Sequence, residues 1–295
     1  MSRDDASKNQ RPSVGLALSG GVARGNAHVG VLRVLEENNI PIDYIAGTSA
    51  GSLVAAAYAA GMTVDEIAEI GRTMRWRDVG RVTLSKLGIQ SNARMEEFAR
   101  GRLPIKRFEE LRIPLAIVAT DLKTGSAVII TEGDVGFAIR ASCALPGWYV
   151  PVTDEHGRQL VDGGLVANIP TAAVRVLGAD IVIAVDVNSE GAKFLGPPHS
   201  IIGVLLQSIM VVQRTAAIHQ LHDADVVISP KTGHIRWDEM GRVDELIALG
   251  EQAARPTIAR IKHLIESEVE PPLKWYQRRR HEQPQEDKRR VSPLR

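Results

Sequence analysis

Two patterns of apolar and polar positions alternate along this chain. Short runs of consecutive apolar residues, the mark of strands buried on both faces, fall near residues 14–18, 43–46, 115–120, 127–131, 181–187 and 225–228. Between them lie stretches with the 3.6-residue helical repeat. Val29, Leu32, Leu35 and Ile40 keep core spacing along a helix predicted over residues 26–39, and residues 52–60 form an Ala-rich helix. Thr63 and Glu66 make a capping box that opens a helix running toward Met74, and another helix is predicted over residues 95–102. Lys123-Thr124-Gly125 reads as a tight turn joining two strands, and residues 79–92 are the least regular stretch. Residues 201–221 form a long amphipathic helix. Its stripe of Ile201, Val204, Leu205, Ser208, Val211, Val212 and Ile218 predicts packing on a sheet in preference to membrane insertion. The alternation of strand and helix predicts a mainly parallel α/β sheet with helices on both faces.

The chemistry concentrates at two strand-to-helix turns. In Gly47-Thr48-Ser49-Ala50-Gly51 the serine sits between a strand and a helix, the setting of a nucleophile elbow. Glycines two before and two after the serine remove side chains that would clash as strand and helix crowd together. The start of the following helix directs backbone N–H groups and the positive end of its dipole to where an oxyanion develops. The second turn is Ser19-Gly20-Gly21-Val22-Ala23-Arg24-Gly25, which follows the first strand. A phosphate-binding loop needs Lys and Ser or Thr after its last glycine, and Asn26-Ala27 stand there instead. The glycine spacing is also wrong for a dinucleotide fingerprint. An oxyanion hole is the use that fits a serine nucleophile on the next strand-turn-helix.

Together these motifs resemble the patatin-like phospholipase family. Its pattern is Gly-Gly-Gly-x-Arg-Gly, then Gly-x-Ser-x-Gly, then Asp-Gly-Gly or Asp-Gly-Ala far downstream. This chain has Gly20 to Gly25, Gly47 to Gly51 and Asp162-Gly163-Gly164 in that order. Arg140-Ala141-Ser142-Cys143-Ala144-Leu145-Pro146-Gly147, Asn168-Ile169-Pro170 and Gly178-Ala179-Asp180 are similar too. The resemblance implies a three-layer α/β domain over residues 14–272 that hydrolyses acyl esters of lipids or lysophospholipids through an acyl-enzyme. It implies Ser49 as nucleophile and Asp162 as direct proton acceptor, with Gly163 and Gly164 allowing a sharp turn after the base. The amides of Gly20, Gly21 and Val22 are expected to hold the oxyanion, and Arg24 and Gly25 to shape that loop. Val22 stands where the family has a third glycine, and a β-branched residue resists positive φ there. Acyl transfer on the same fold and an idle scaffold are the alternatives; Thr48 before the serine, where acyl-carrier transacylases have His, weighs against transfer.

Outside the resemblance, an α/β-hydrolase order of Ser, acid and His leaves His219, His222 and His234 as candidate third members of a triad. His28 reads as a packed or capping residue, His156 as part of an exposed turn, and Trp148 and Tyr149 as core or as the lining of an acyl pocket. Neither metal-ligand spacing nor any cofactor motif occurs, so no cofactor is expected. Hydrophobic residues make up 44% and charged residues 24%, ordinary for a globular domain. A lone cysteine, Cys143, excludes an internal disulfide, and residues 1–13 lack the apolar core of a signal peptide and read as disordered. A cytoplasmic protein is expected. The tail over residues 273–295 has eight Lys or Arg against three Asp or Glu, a net of +5 on a chain whose total is +1. It reads as a disordered, solvated segment, with attraction to the anionic inner face of a membrane as the alternative. The acidic remainder speaks against nucleic-acid binding.

Overall fold

The computed structural model describes residues 11–190 and 198–267. Its strands are β1 (Val14–Leu18), β2 (Tyr44–Thr48), β3 (Arg81–Val82), β4 (Gly88–Ser91), β5 (Leu115–Asp121) and β6 (Ala127–Ile130). After these come β7 (Gly147–Tyr149), β8 (Val152–Thr153), β9 (Gln159–Asp162), β10 (Ile181–Val185) and β11 (Val226–Ile228). The main sheet runs β11-β10-β1-β2-β5-β9-β8, with β6 paired beside β5. Pairing is parallel from β11 to β5 and antiparallel beyond, so the expected parallel sheet carries an antiparallel edge. The Lys123–Gly125 turn joins β5 to β6, with Gly125 at φ 70.

Two adjacent rungs of the sheet explain its layering. Ile183, Leu16, Ile45 and Leu115 align across β10, β1, β2 and β5, and the next rung is Ala184, Ala17, Ala46 and Ala116. Successive side chains point to opposite faces. The large rung faces helices α1 (Ala27–Glu37) and α2 (Ala50–Ala59). The alanine rung is low enough for a closely seated helix on the other side. The remaining helices are α3 (Val64–Thr73), α4 (Trp76–Val79), α5 (Ala93–Arg102), α6 (Val135–Ser142), α7 (Gly164–Ala167), α8 (Thr171–Leu177), α9 (Ile201–Leu221), α10 (Val243–Ala254) and α11 (Ile258–Glu266). Helix α8 takes the seat over the alanines, and α10 crosses α1 outside the large rung. That crossing is close because glycines meet backbone. A Cβ on Gly30 would lie 1.9 Å from the Ile247 carbonyl oxygen, and one on Gly250 1.9 Å from that of Ala27. The result is the expected helix–sheet–helix arrangement.

Predicted strands and helices agree closely with those observed, and the Thr63–Glu66 capping box is present. Three expectations need correction. Residues 79–92 are not irregular: β3 and β4 pair antiparallel, and β4 pairs with β7 to make a second, three-stranded sheet. Residues 11–13, expected to be disordered, are tied to the body. Arg11 Nη1 lies 2.7 Å from Asp43 Oδ2, and the Ser13 amide donates to Asp180 Oδ2 at 2.9 Å. Helix α9 has the expected bounds, but its stripe faces outward. Ile201, Val204, Leu205, Val211, Val212 and Ile218 are all exposed, because both sides of this helix are apolar and the opposite side was taken for packing. The basic tail lies outside the described residues.

Candidate active site

The parallel strands β1 and β2 end side by side, and the two glycine-containing turns leave from those ends. In open α/β sheets this edge is where ligands bind. Ser49 caps α2 at φ 52 and ψ −125, a region that costs a non-glycine residue about 1–2 kcal/mol. Packing and hydrogen bonds hold it there. The Ser49 amide donates to Ser142 Oγ at 2.8 Å, Ser142 Oγ donates to the Val118 carbonyl at 2.6 Å, and Ser52 Oγ donates to the Ser49 carbonyl at 2.6 Å. Gly47 and Gly51 let strand and helix touch: a Cβ on Gly47 would lie 2.5 Å from the Gly51 oxygen. Ser142 was missed as a positioning residue, although it lies within the Arg140 to Gly147 match that signals it.

Asp162 arrives from the antiparallel side of the sheet, as the last residue of β9. Ser49 Oγ donates to Asp162 Oδ2 at 2.7 Å, and the Gly164 amide donates to Oδ1 at 2.8 Å. Thr120 Oγ1 donates to the Asp162 carbonyl at 2.9 Å, which fixes the backbone behind the carboxylate. Gly163 lies under the Val118 carbonyl, where a Cβ would come within 2.1 Å of oxygen. Burial pushes the Asp162 carboxyl up to about 6, outweighing the Gly164 and Ser49 hydrogen bonds that favour its charged form. A carboxylate so placed is a stronger base than an exposed one.

The loop after β1 lies against the serine: a Cβ on Gly20 would be 3.1 Å from Ser49 Cβ. The Gly20 amide, expected among the oxyanion donors, is already donated to the Asn168 carbonyl at 3.1 Å. Those of Gly21 and Val22 have no hydrogen-bond partner among the described residues. Val22 takes φ 50 in spite of its branched side chain, so the glycine-like shape of the loop is kept under strain. Arg24 is buried, with Nε donating to the Ile235 carbonyl at 2.8 Å and Nη1 to Asn188 Oδ1 at 3.2 Å. Asn188 Nδ2 in turn donates to the Gly20 carbonyl at 2.8 Å, so the arginine reaches the loop through an asparagine. Gly25 packs on α2, where its Cβ would lie 2.6 Å from Ala50 Cβ. His28 Nε2 lies 2.8 Å from the Ser19 carbonyl, and burial lowers its pKa to about 4, so the neutral ring donates this bond.

Ser49 and Asp162 both line one predominantly apolar cavity. Leu53, Val54, Ile67, Met74, Trp76 and Met95 also line it, as do Trp148 and Tyr149. Cys143 also touches it, but burial pushes the thiol up to about 12, which keeps it protonated. A second opening beside Ser49 is bounded by Gly21, Asn168, Asn188 and by Leu206, Met210 and Gln213 of α9. None of the histidines considered for a triad lines either space. His234 instead lies at the surface with Nε2 2.8 Å from Glu245 Oε1. Among the described residues no group of His, Cys, Asp or Glu is arranged to hold a metal ion, and no helix is long and apolar enough to cross a membrane.

Comparison with known proteins points the same way. Residues 16–175 match the patatin-like phospholipase family. An uncharacterized NTE family protein of Mycobacterium tuberculosis is 38% identical over 184 residues, 61% of this chain and 51% of that protein. Lysophospholipase NTE1 of Mycosarcoma maydis is 38% identical over 188 residues, 60% of this chain and 10% of that protein. The match thus spans about half of the first relative's length and a small part of the second's. Among solved structures, VipD from Legionella pneumophila is 14% identical with a TM-score of 0.48, over 85% of this chain and 67% of that one.

Proposed function

The chain belongs to the patatin-like phospholipase family, and from that premise we propose that it hydrolyses lipid acyl esters with Ser49 as nucleophile and Asp162 as base. The observation that carries this reading is the 2.7 Å contact from Ser49 Oγ to Asp162 Oδ2 in the wall of an apolar cavity. A long acyl chain fits that cavity by chemistry, since its walls are almost wholly aliphatic and aromatic. As Ser49 Oγ bonds to the ester carbonyl carbon, its proton passes to Asp162 Oδ2 and the carbonyl electrons move onto oxygen. The Gly21 and Val22 amides receive that oxyanion. Collapse expels the alcohol, which takes the proton back from Asp162 and leaves an acyl group on Ser49. Water then attacks, Asp162 takes its proton, and the fatty acid leaves as Ser49 Oγ regains a hydrogen. Asp162 can accept the serine proton only when ionised, so the acid limb of kcat/KM should fall near pH 6. The lysophospholipase among the relatives makes a lysophospholipid the first substrate to try.

The test combines labelling and turnover. A fluorophosphonate probe should modify Ser49, and Ser49→Ala should lose both labelling and release of fatty acid from lysophosphatidylcholine while keeping its circular dichroism. Asp162→Asn should slow release at least about a hundredfold, the low end of general-base effects. Full turnover by either variant ends this reading.

A further inference from the structure

We propose that the outer face of α9 and the β3–β4 hairpin form one docking face that seats the mouth of the site on an anionic lipid bilayer. The proposal rests on the lipid-ester reading for its biological sense, but its contact residues are separate from Ser49 and Asp162. Both elements expose large apolar side chains that a water-facing surface does not need. On α9, Ile201 is 81% exposed, and Val204, Leu205, Val211, Val212 and Ile218 follow at helical spacing along the same side. On the hairpin, Val82 is 73% exposed and Leu84 fully so, with Leu87 and Ile89 also exposed. Together they exceed the scattered apolar residues of an ordinary surface.

Position joins the two elements. Strand β7 pairs with β4, through Gly88 with Gly147 and Gln90 with Tyr149, and also contacts α9. Trp148 and Tyr149 of β7 line the cavity that Ser49 also lines, while Leu206 and Met210 of α9 border the opening beside it. The hairpin and α9 are thus both in contact with β7, whose Trp148 and Tyr149 line the cavity, and on α9 the stripe is the side that faces away from the enclosed Leu206 and Met210.

Charge selects the occupant. Between Asp78 and Glu96 the chain has no acidic residue and carries Arg81, Lys86 and Arg94. From Pro198 to His222 it again has no acid, and α9 carries Arg214. In a chain with 35 Asp and Glu, two acid-free segments that both expose apolar side chains suit an anionic surface. A helix with this face lies in the plane of a membrane interface instead of crossing it, which agrees with the absence of a spanning helix among the described residues.

The experiment uses the full chain, so that the basic tail is common to every protein compared. Vesicles of equal phosphatidylglycerol and phosphatidylcholine are sedimented with wild type, with a Val211→Asp, Val212→Asp double variant and with a Leu84→Asp, Leu87→Asp double variant. Each variant should partition at least about tenfold less into the vesicle pellet, because charge enters an apolar contact, while its melting temperature stays near wild type. Two independent variants keep the result readable if one is destabilised. Binding by Ser49→Ala at the wild-type level would leave the docking face standing even if lipid hydrolysis were not found. Undiminished pelleting of both folded variants overturns the proposal. So does a wild type that sediments as a dimer in the ultracentrifuge while both variants are monomers with unchanged vesicle binding, which would assign the face to a second copy of the chain.

Discussion

Helices α1 and α9 carry apolar residues at the same spacing and meet opposite surroundings. In α1, Val29, Leu32 and Leu35 are buried in the core that holds the large rung of the sheet, and only Arg33, Glu36 and Glu37 keep part of their surface in water. In α9 the equally periodic Val204, Leu205, Val211 and Val212 face solvent. The difference lies on the far side of each helix. Behind the stripe of α1 stand Ala27, Gly30, Val31 and Val34, which are buried as well, because neighbouring elements enclose this helix on both sides. Behind the stripe of α9 stand Leu206, Ile209, Met210 and Ala217, so two orientations are open to it. Polar anchors choose between them: Gln220 Oε1 accepts from the Ile169 amide at 2.8 Å, and its Nε2 donates to the Val166 carbonyl at 2.9 Å. A helical stripe thus marks a face that prefers to leave water, and its neighbours determine whether the core takes that face.

The largest effect that would break this comparison is expected in α1. Leu32→Ala leaves a cavity between α1 and the sheet and should lower the free energy of unfolding by about 2–5 kcal/mol, read from urea melts. A loss under about 1 kcal/mol would mean that α1 is no better packed than α9. The enclosed side of α9 provides the next test, because it covers a carboxyl group where α1 covers only hydrocarbon. Asp162 has its folded pKa raised to about 6, above the ordinary carboxyl value. Its contribution to stability is therefore fully present at low pH and is lost as pH rises through about 6. Asp162→Asn should show no such loss, so at pH 8 it should be more stable relative to wild type than at pH 4 by about 2–3 kcal/mol. A gap that does not change with pH would show the carboxyl group to be hydrated. The smallest effect belongs to the outer face of α9. Leu205→Ser should change stability by no more than about 0.5 kcal/mol, since the side chain already meets water. A loss comparable to that of Leu32→Ala would place α9 against an unseen partner.

Much of the site was legible before any coordinates. Ser49 and Asp162 stood in motifs whose glycines have a steric purpose, and the 2.7 Å contact between them spans 113 residues of chain. Other parts were not legible. Nothing local tells that the Gly20 amide will be donated to Asn168, because that bond depends on how two distant loops meet. Ser142 is similar: its hydroxyl bridges the Ser49 amide and the Val118 carbonyl only when α6, β5 and the elbow converge. The β3–β4 hairpin escaped notice because its strands are short and its apolar residues face outward, so no buried alternation announces them.

Local chemistry in the sequence therefore determined which segments are strands and helices, where the chain turns sharply, and which side chains, Ser49 and Asp162, are the candidates for nucleophile and base. These follow from short-range sterics and from the period of apolar residues, which act within a few residues of each other. Only the tertiary structure decided which amides stay free, which carboxyl is dry enough to reach a pKa of about 6, and which side of α9 looks out. Each of these depends on water being excluded or admitted by residues far apart in the chain, and that exclusion exists only once the layers have packed.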